Sequence, residues 1–226
     1  MKTGKKALLL ALCAVLLVAA TVMGTMAYLT SQDTVTNTFT VGRVAITLDE
    51  AKVNADGKPV DKDGKVVTLE DAPRVDNNDY KLMPGHTYTK DPTVTVLTGS
   101  EESYIRLLVT VKFNEALSDN MLATKLDGIF TGYSADNWSR KDYKVSEDEK
   151  TITYEYRYKE TVAAPTADVK LPALFTGIEI PEDWTNETLK ALGGFNINIV
   201  AQAIQTDGFK DADTAWGAFT AATTNG

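Results

Sequence analysis

Between residues 105 and 113, Ile105, Leu107, Val109, Val111 and Phe113 fall on one face of an extended chain and Arg106, Leu108, Thr110 and Lys112 on the other. This period of two predicts a central strand with one strongly buried face. The same phase runs through 195–203, where Phe195, Ile197, Ile199, Ala201 and Ala203 oppose Asn196, Asn198, Val200 and Gln202, and Gly193-Gly194 breaks whatever helix comes before. In 151–159, Ile152, Tyr154, Tyr156 and Tyr158 alternate with Thr153, Glu155, Arg157 and Lys159. An aromatic row opposite a charged one suits an antiparallel strand with one wet face. Shorter strands are predicted at 34–41, 44–48, 65–69 and 93–97, with turns at Pro84-Gly85, Asp91-Pro92 and Thr98-Gly99.

Helical spacing is scarce. Leu117, Met121, Leu122 and Leu126 predict a helix over 115–126 with Asn114 as its cap. Weaker patterns cover 183–192 and 211–222, the latter with Ala215, Trp216 and Phe219 as a docking face. Many short Thr- and Val-rich strands and few helices favour an all-β antiparallel sandwich with peripheral helices over any α/β design.

The first segment breaks this pattern. Lys2, Lys5 and Lys6 precede the uncharged apolar run 7–20, which continues through Thr21-Val22-Met23-Gly24 to Thr25-Met26-Ala27. A basic start, an apolar stretch and a small residue at the end read as an export signal cut after Ala27, with Tyr28 as the new N-terminus. An uncleaved membrane anchor is the competing reading, since the run approaches bilayer-spanning length. Cys13 sits inside the apolar run after Leu12, an unsuitable context for lipidation. Removing residues 1–27 takes away three lysines and the single cysteine, leaving 199 residues and moving the net charge from −8 to −11. The expected product is an acidic, cysteine-free exported protein, a single domain over 28–226 with nothing to hold it to a membrane.

Composition then narrows the chemistry. One Cys and one His in the whole chain exclude an intrachain Cys/His zinc site, a disulfide framework and an iron–sulfur cluster. The acidic balance and the lack of a basic stripe argue against nucleic acid. His86 lies in the turn Leu82-Met83-Pro84-Gly85-His86-Thr87, and nothing around Ser100, Ser103, Ser118 or Ser134 resembles a nucleophile elbow. No aromatic-lined carboxylate pair stands out for glycoside hydrolysis. No catalytic residue, cofactor site or metal site is assigned. Asp56, Asp61 and Asp63 in the polar stretch 54–64 invite a calcium reading, but the loop lacks the glycine and the terminal glutamate of an EF-hand, and a plain turn is preferred. For the Tyr154–Tyr156–Tyr158 row, cross-strand packing is preferred over a carbohydrate platform, and Trp138, Trp184 and Trp216 are read as packing residues.

Gly24-Thr25-Met26-Ala27-Tyr28-Leu29-Thr30, followed by Asn37-Thr38-Phe39-Thr40-Val41-Gly42, resembles the TasA/camelysin family of exported proteins from Gram-positive bacteria. Their signals are handled by a SipW-type signal peptidase. The Pro84-Gly85 turn with Thr87-Tyr88-Thr89-Lys90-Asp91, and the stretch 195–209 ending Gln205-Thr206-Asp207-Gly208-Phe209, resemble later parts of the family; 115–192 does not match. The resemblance implies a sandwich of jelly-roll type, secretion to the matrix or cell surface, and self-assembly head to tail into biofilm-matrix fibres. The assembly strand is then 28–41. Val35, Phe39 and Val41 share one parity there, and Gly42 permits a sharp change of direction. Such a strand pairs within its own subunit or adds to the sheet of the next one. The alternatives are a monomeric secreted or adhesin-like surface protein and a camelysin-like metallopeptidase, although the chain lacks any recognisable zinc motif.

Overall fold

The alternating segments become three antiparallel sheets in the computed structural model, which describes residues 43–113, 126–185, 189 and 196–224. The signal, the predicted strand at 34–41, nearly all of the predicted helix at 115–126 and most of that at 183–192 lie outside the described residues. The strands are β1 (Ile46–Ala51), β2 (Arg74–Val75), β3 (Thr87–Thr89), β4 (Thr93–Val96), β5 (Ser103–Lys112), β6 (Phe130–Thr131), β7 (Trp138–Val145), β8 (Thr151–Tyr158), β9 (Val169–Lys170), β10 (Gly177–Glu179) and β11 (Asn196–Gln205). Helix α1 (Ala212–Thr224) follows them.

The sheets run β2-β1-β4-β9, β3-β10-β6 and β11-β5-β8-β7. Their inward faces share one core, containing Val94 and Val96 of the first, Tyr88 and Ile178 of the second, and Ile105, Leu107, Val109, Val111, Ile152, Tyr154 and Tyr156 of the third. The fold is all-β, antiparallel and sandwich-like. The period-two reading of 105–113 holds on its inward face, where all five predicted side chains are buried, while on the other face Arg106 is buried as well. Strand β5 pairs with β11 over ten positions, from Asn196↔Lys112 to Gln205↔Ser103, and with β8 over seven, which makes it the central strand.

The tyrosine row turns inward. Tyr154 and Tyr156 are buried, Tyr158 packs edge-on against Trp138 with ring centroids 5.2 Å apart, and Tyr154 lies 6.0 Å from Tyr143 across the β7–β8 pair. Rings held this way pack strands together and offer no continuous surface for stacking a sugar. Trp138, Trp184 and Trp216 are buried as expected.

The strand predicted at 65–69 does not form. Val66 makes a single bridge to Val60, Val66 and Leu69 are exposed, and Thr68 and Asp71 close a turn, the Thr68 hydroxyl donating to Asp71 at 2.7 Å. With no neighbouring strand among the described residues to cover Val66 and Leu69, their β propensity alone does not build a strand. The strand predicted at 44–48 is β1, which starts two residues later and ends three residues later.

Helix α1 forms where the 211–222 pattern placed it. Asp211 caps it, accepting from the Thr214 amide at 2.9 Å and the Thr214 hydroxyl at 2.8 Å. Its Trp216 covers Arg106 on the outer face of β5, with the guanidinium carbon 4.3 Å from the ring centroid. Among the described residues no helix is long and apolar enough to cross a membrane.

Candidate functional site

Strand β11 is an end strand. Its whole length pairs with β5 on one edge, and no strand among the described residues pairs with the other. Strand β1 lies beside that edge, bonded to β4 through Ile46–Asp49 and to β2 only at Glu50 and Ala51. The inward side chains Ile46 and Leu48 of β1 and Ile197, Ile199, Ala201 and Ala203 of β11 touch the core but stay partly exposed. The space between the two strands is therefore a groove with an apolar floor, flanked by strand edges to which no further strand among the described residues is bonded. That is the situation in which a sheet recruits another strand.

One end of the groove opens into two adjoining cavities of about 210 and 240 Å³, which share Asn78, Asp79, Lys90, Asn196 and Ile197. Their wall is a charged cluster. Arg74 sits between Asp49 and Asp91: its Nε donates to Asp49 at 2.7 Å, its guanidinium pairs with the Asp91 carboxylate, and it also donates to the Asp49 and Asp91 carbonyls at 3.0 and 3.1 Å. Burial works against the Arg74 charge, but Asp91 and Asp49 outweigh it and hold the group above its ordinary value. Asp91 also accepts the Ala51 amide at 2.7 Å, so one carboxylate ties β1, β2 and the β3–β4 corner together.

Facing the cavities, Lys90 and Glu50 are both buried and paired at 2.5 Å. Asn78 donates to the other Glu50 oxygen at 2.9 Å. The Lys90 ammonium also lies 5.6 Å from the centroid of Tyr80, whose hydroxyl donates to the Thr89 carbonyl at 3.1 Å. Burial, reinforced by the charge of Glu50, pushes the Tyr80 hydroxyl far above its ordinary value, so it stays protonated as a donor.

The predicted cleavage residues Ala27 and Tyr28, and the predicted assembly residues Val35, Phe39, Val41 and Gly42, lie outside the described residues. His86 is exposed in its turn, with Nδ1 2.9 Å from the Pro84 carbonyl. The Asp-rich stretch folds into two small bridged loops, Val53↔Pro59 and Val60↔Val66. There one Asp61 oxygen accepts the Asp63 and Lys65 amides, both at 2.9 Å, as a turn-forming carboxylate does. Sequence reasoning did not find the Glu50, Asn78, Lys90 cluster, because its members are up to forty residues apart and each looks like an ordinary surface residue. No protein-family model, curated protein or solved structure matches the chain.

Proposed function

We propose that the protein is an exported structural subunit of a matrix or cell-surface fibre of a Gram-positive bacterium. A SipW-type signal peptidase releases it after Ala27, and segment 28–41 of one copy then enters the groove beside β11 of the next. The observation that carries this reading is the edge of β11, unpaired among the described residues, above a half-covered apolar floor.

The donor fits in phase and in length. Val35, Phe39 and Val41 point one way in an extended chain, as an apolar floor requires, and eight extended residues span roughly 26 Å, within the reach of a ten-residue strand. Burying those three side chains contributes about 5–9 kcal/mol, against an association cost of about 4–15 kcal/mol. Side chains alone come close to balance, so the backbone ladder along β11 decides for assembly. With one donor segment and one groove per copy, the product is a head-to-tail homopolymer.

Electron microscopy of concentrated mature protein, with N-terminal sequencing to fix the cut, tests this. The expected result is fibres from the 28–226 chain and none from a chain lacking 28–41 that still unfolds cooperatively. Unchanged fibres from the truncated chain refute strand addition, and loss of folding on truncation assigns the strand to its own sheet.

A further inference from the structure

We propose that Lys90 and Asn78 become joined by an intramolecular amide bond, with Glu50 carrying the protons. Three polar side chains converge in the wall between β1 and the β3–β4 corner. Lys90 and Glu50 are 8% and 5% exposed, unusual for these residue types. One Glu50 oxygen lies 2.5 Å from the Lys90 amine and the other accepts the Asn78 side-chain nitrogen at 2.9 Å. A single carboxylate thus holds a nucleophile and an electrophile side by side. The Asn78 carbonyl oxygen accepts the Val53 amide at 2.8 Å, and its nitrogen also donates to the Ala51 carbonyl at 2.9 Å. The Val53 N–H is aimed at the atom that takes negative charge when an amine adds to the Asn78 carbonyl. A buried ion pair contributes little to stability by itself and is often replaceable by apolar residues without loss, so stability alone does not explain this convergence.

The step balances without any co-reactant. Glu50 takes a proton from the Lys90 ammonium, leaving a neutral amine and a carboxylic acid. The Nζ lone pair attacks Cγ of Asn78, and the oxyanion is held by the Val53 N–H. Glu50 gives its proton to Nδ2 and recovers one from Nζ. The Cγ–Nδ2 bond then breaks, ammonia leaves, and an Nζ–Cγ amide and a protonated Glu50 remain. The bond closes a ring over residues 78–90 and fastens the loop after β2 to the β3–β4 corner. It supplies a covalent tie in a chain whose lone cysteine lies in the predicted signal at Cys13.

Mass spectrometry of the purified folded protein tests this directly. The expected result is an intact mass about 17 Da below that of the sequence, the ammonia lost in nucleophilic acyl transfer. In a tryptic digest, residues 75–81 should be joined through side chains to residues 82–106, with no cleavage after Lys90. Glu50→Gln and Asn78→Ala should each restore the full mass and the cut after Lys90. A wild-type protein at full mass overturns the proposal. The same mass loss with unlinked peptides, the signature of an asparagine succinimide, also overturns it. A linked Glu50→Gln protein refutes the role given to Glu50, and if that variant fails to fold, the wild-type peptide map and Asn78→Ala still decide.

Discussion

Asp91 gives the sharpest test of how the groove wall is held. Its carboxylate performs two separable tasks, accepting the Ala51 amide at 2.7 Å and pairing with Arg74. Asp91→Ala removes both. The orphaned Ala51 N–H costs about 1–3 kcal/mol. Arg74 keeps Asp49 and two carbonyls, and its side chain is 25% exposed. Loss of one partner there is therefore nearer the roughly 1 kcal/mol of a solvated pair than the cost of a stranded buried charge. The sum is about 2–4 kcal/mol. Asp91→Asn keeps an oxygen for Ala51 and gives up the pairing with Arg74, so it should cost about 1 kcal/mol. Urea unfolding followed by the fluorescence of the buried Trp138, Trp184 and Trp216 reads both variants, and at typical slopes Asp91→Ala lowers the midpoint by roughly 1–2 M. Equal costs for the two substitutions, or a cost below about 1 kcal/mol for Asp91→Ala, refute the division of labour.

Two further outcomes follow from α1. Trp216 is 2% exposed, and Trp216→Ala should cost about 3–5 kcal/mol in the same urea assay; a loss under about 1 kcal/mol would mean that the helix undocks independently of the sandwich. The Asp211 carboxyl is held below its ordinary 3.8 by the Thr214 amide and hydroxyl. Its support of the helix start is thus complete above pH 4 and lost as pH falls through the depressed value. Amide exchange at Thr214 and Ala215 should accelerate on acidification in the wild type, and Asp211→Ala should be fast at every pH.

Alternation made the third sheet legible. Strands β5 and β8 each bury one parity and β11 half-buries one, and a period of two is visible without knowing the partner strand. Strand β7 was not, because Trp-Ser-Arg-Lys-Asp-Tyr-Lys-Val buries only Trp138 and carries charges where alternation would place apolar residues. That is how an edge strand reads when its partner, here β8, supplies the packing. Strands β2, β3, β6, β9 and β10 are two or three residues long, too short for any period. The wall cluster failed for another reason. Burial of Lys90, Glu50 and Asp91 is set by how β1 meets the β3–β4 corner, a tertiary fact, and Asp91-Pro92 announces only a turn.

The two ends of the β11-β5-β8-β7 sheet differ in kind. On β7, the register shift between Arg140 and Tyr143 and the exposed lysines at 141 and 144 close the outer edge to pairing. Strand β11 is ten residues long and pairs with β5 without a register shift. A sheet barred on one side and, among the described residues, open on the other would have a valency of one in the proposed assembly. A filament grown by the proposed strand addition would be unbranched and polar, with a free groove at one tip and a free donor segment at the other. Stopping growth then takes two different caps, one that fills the groove and one that occupies the donor segment.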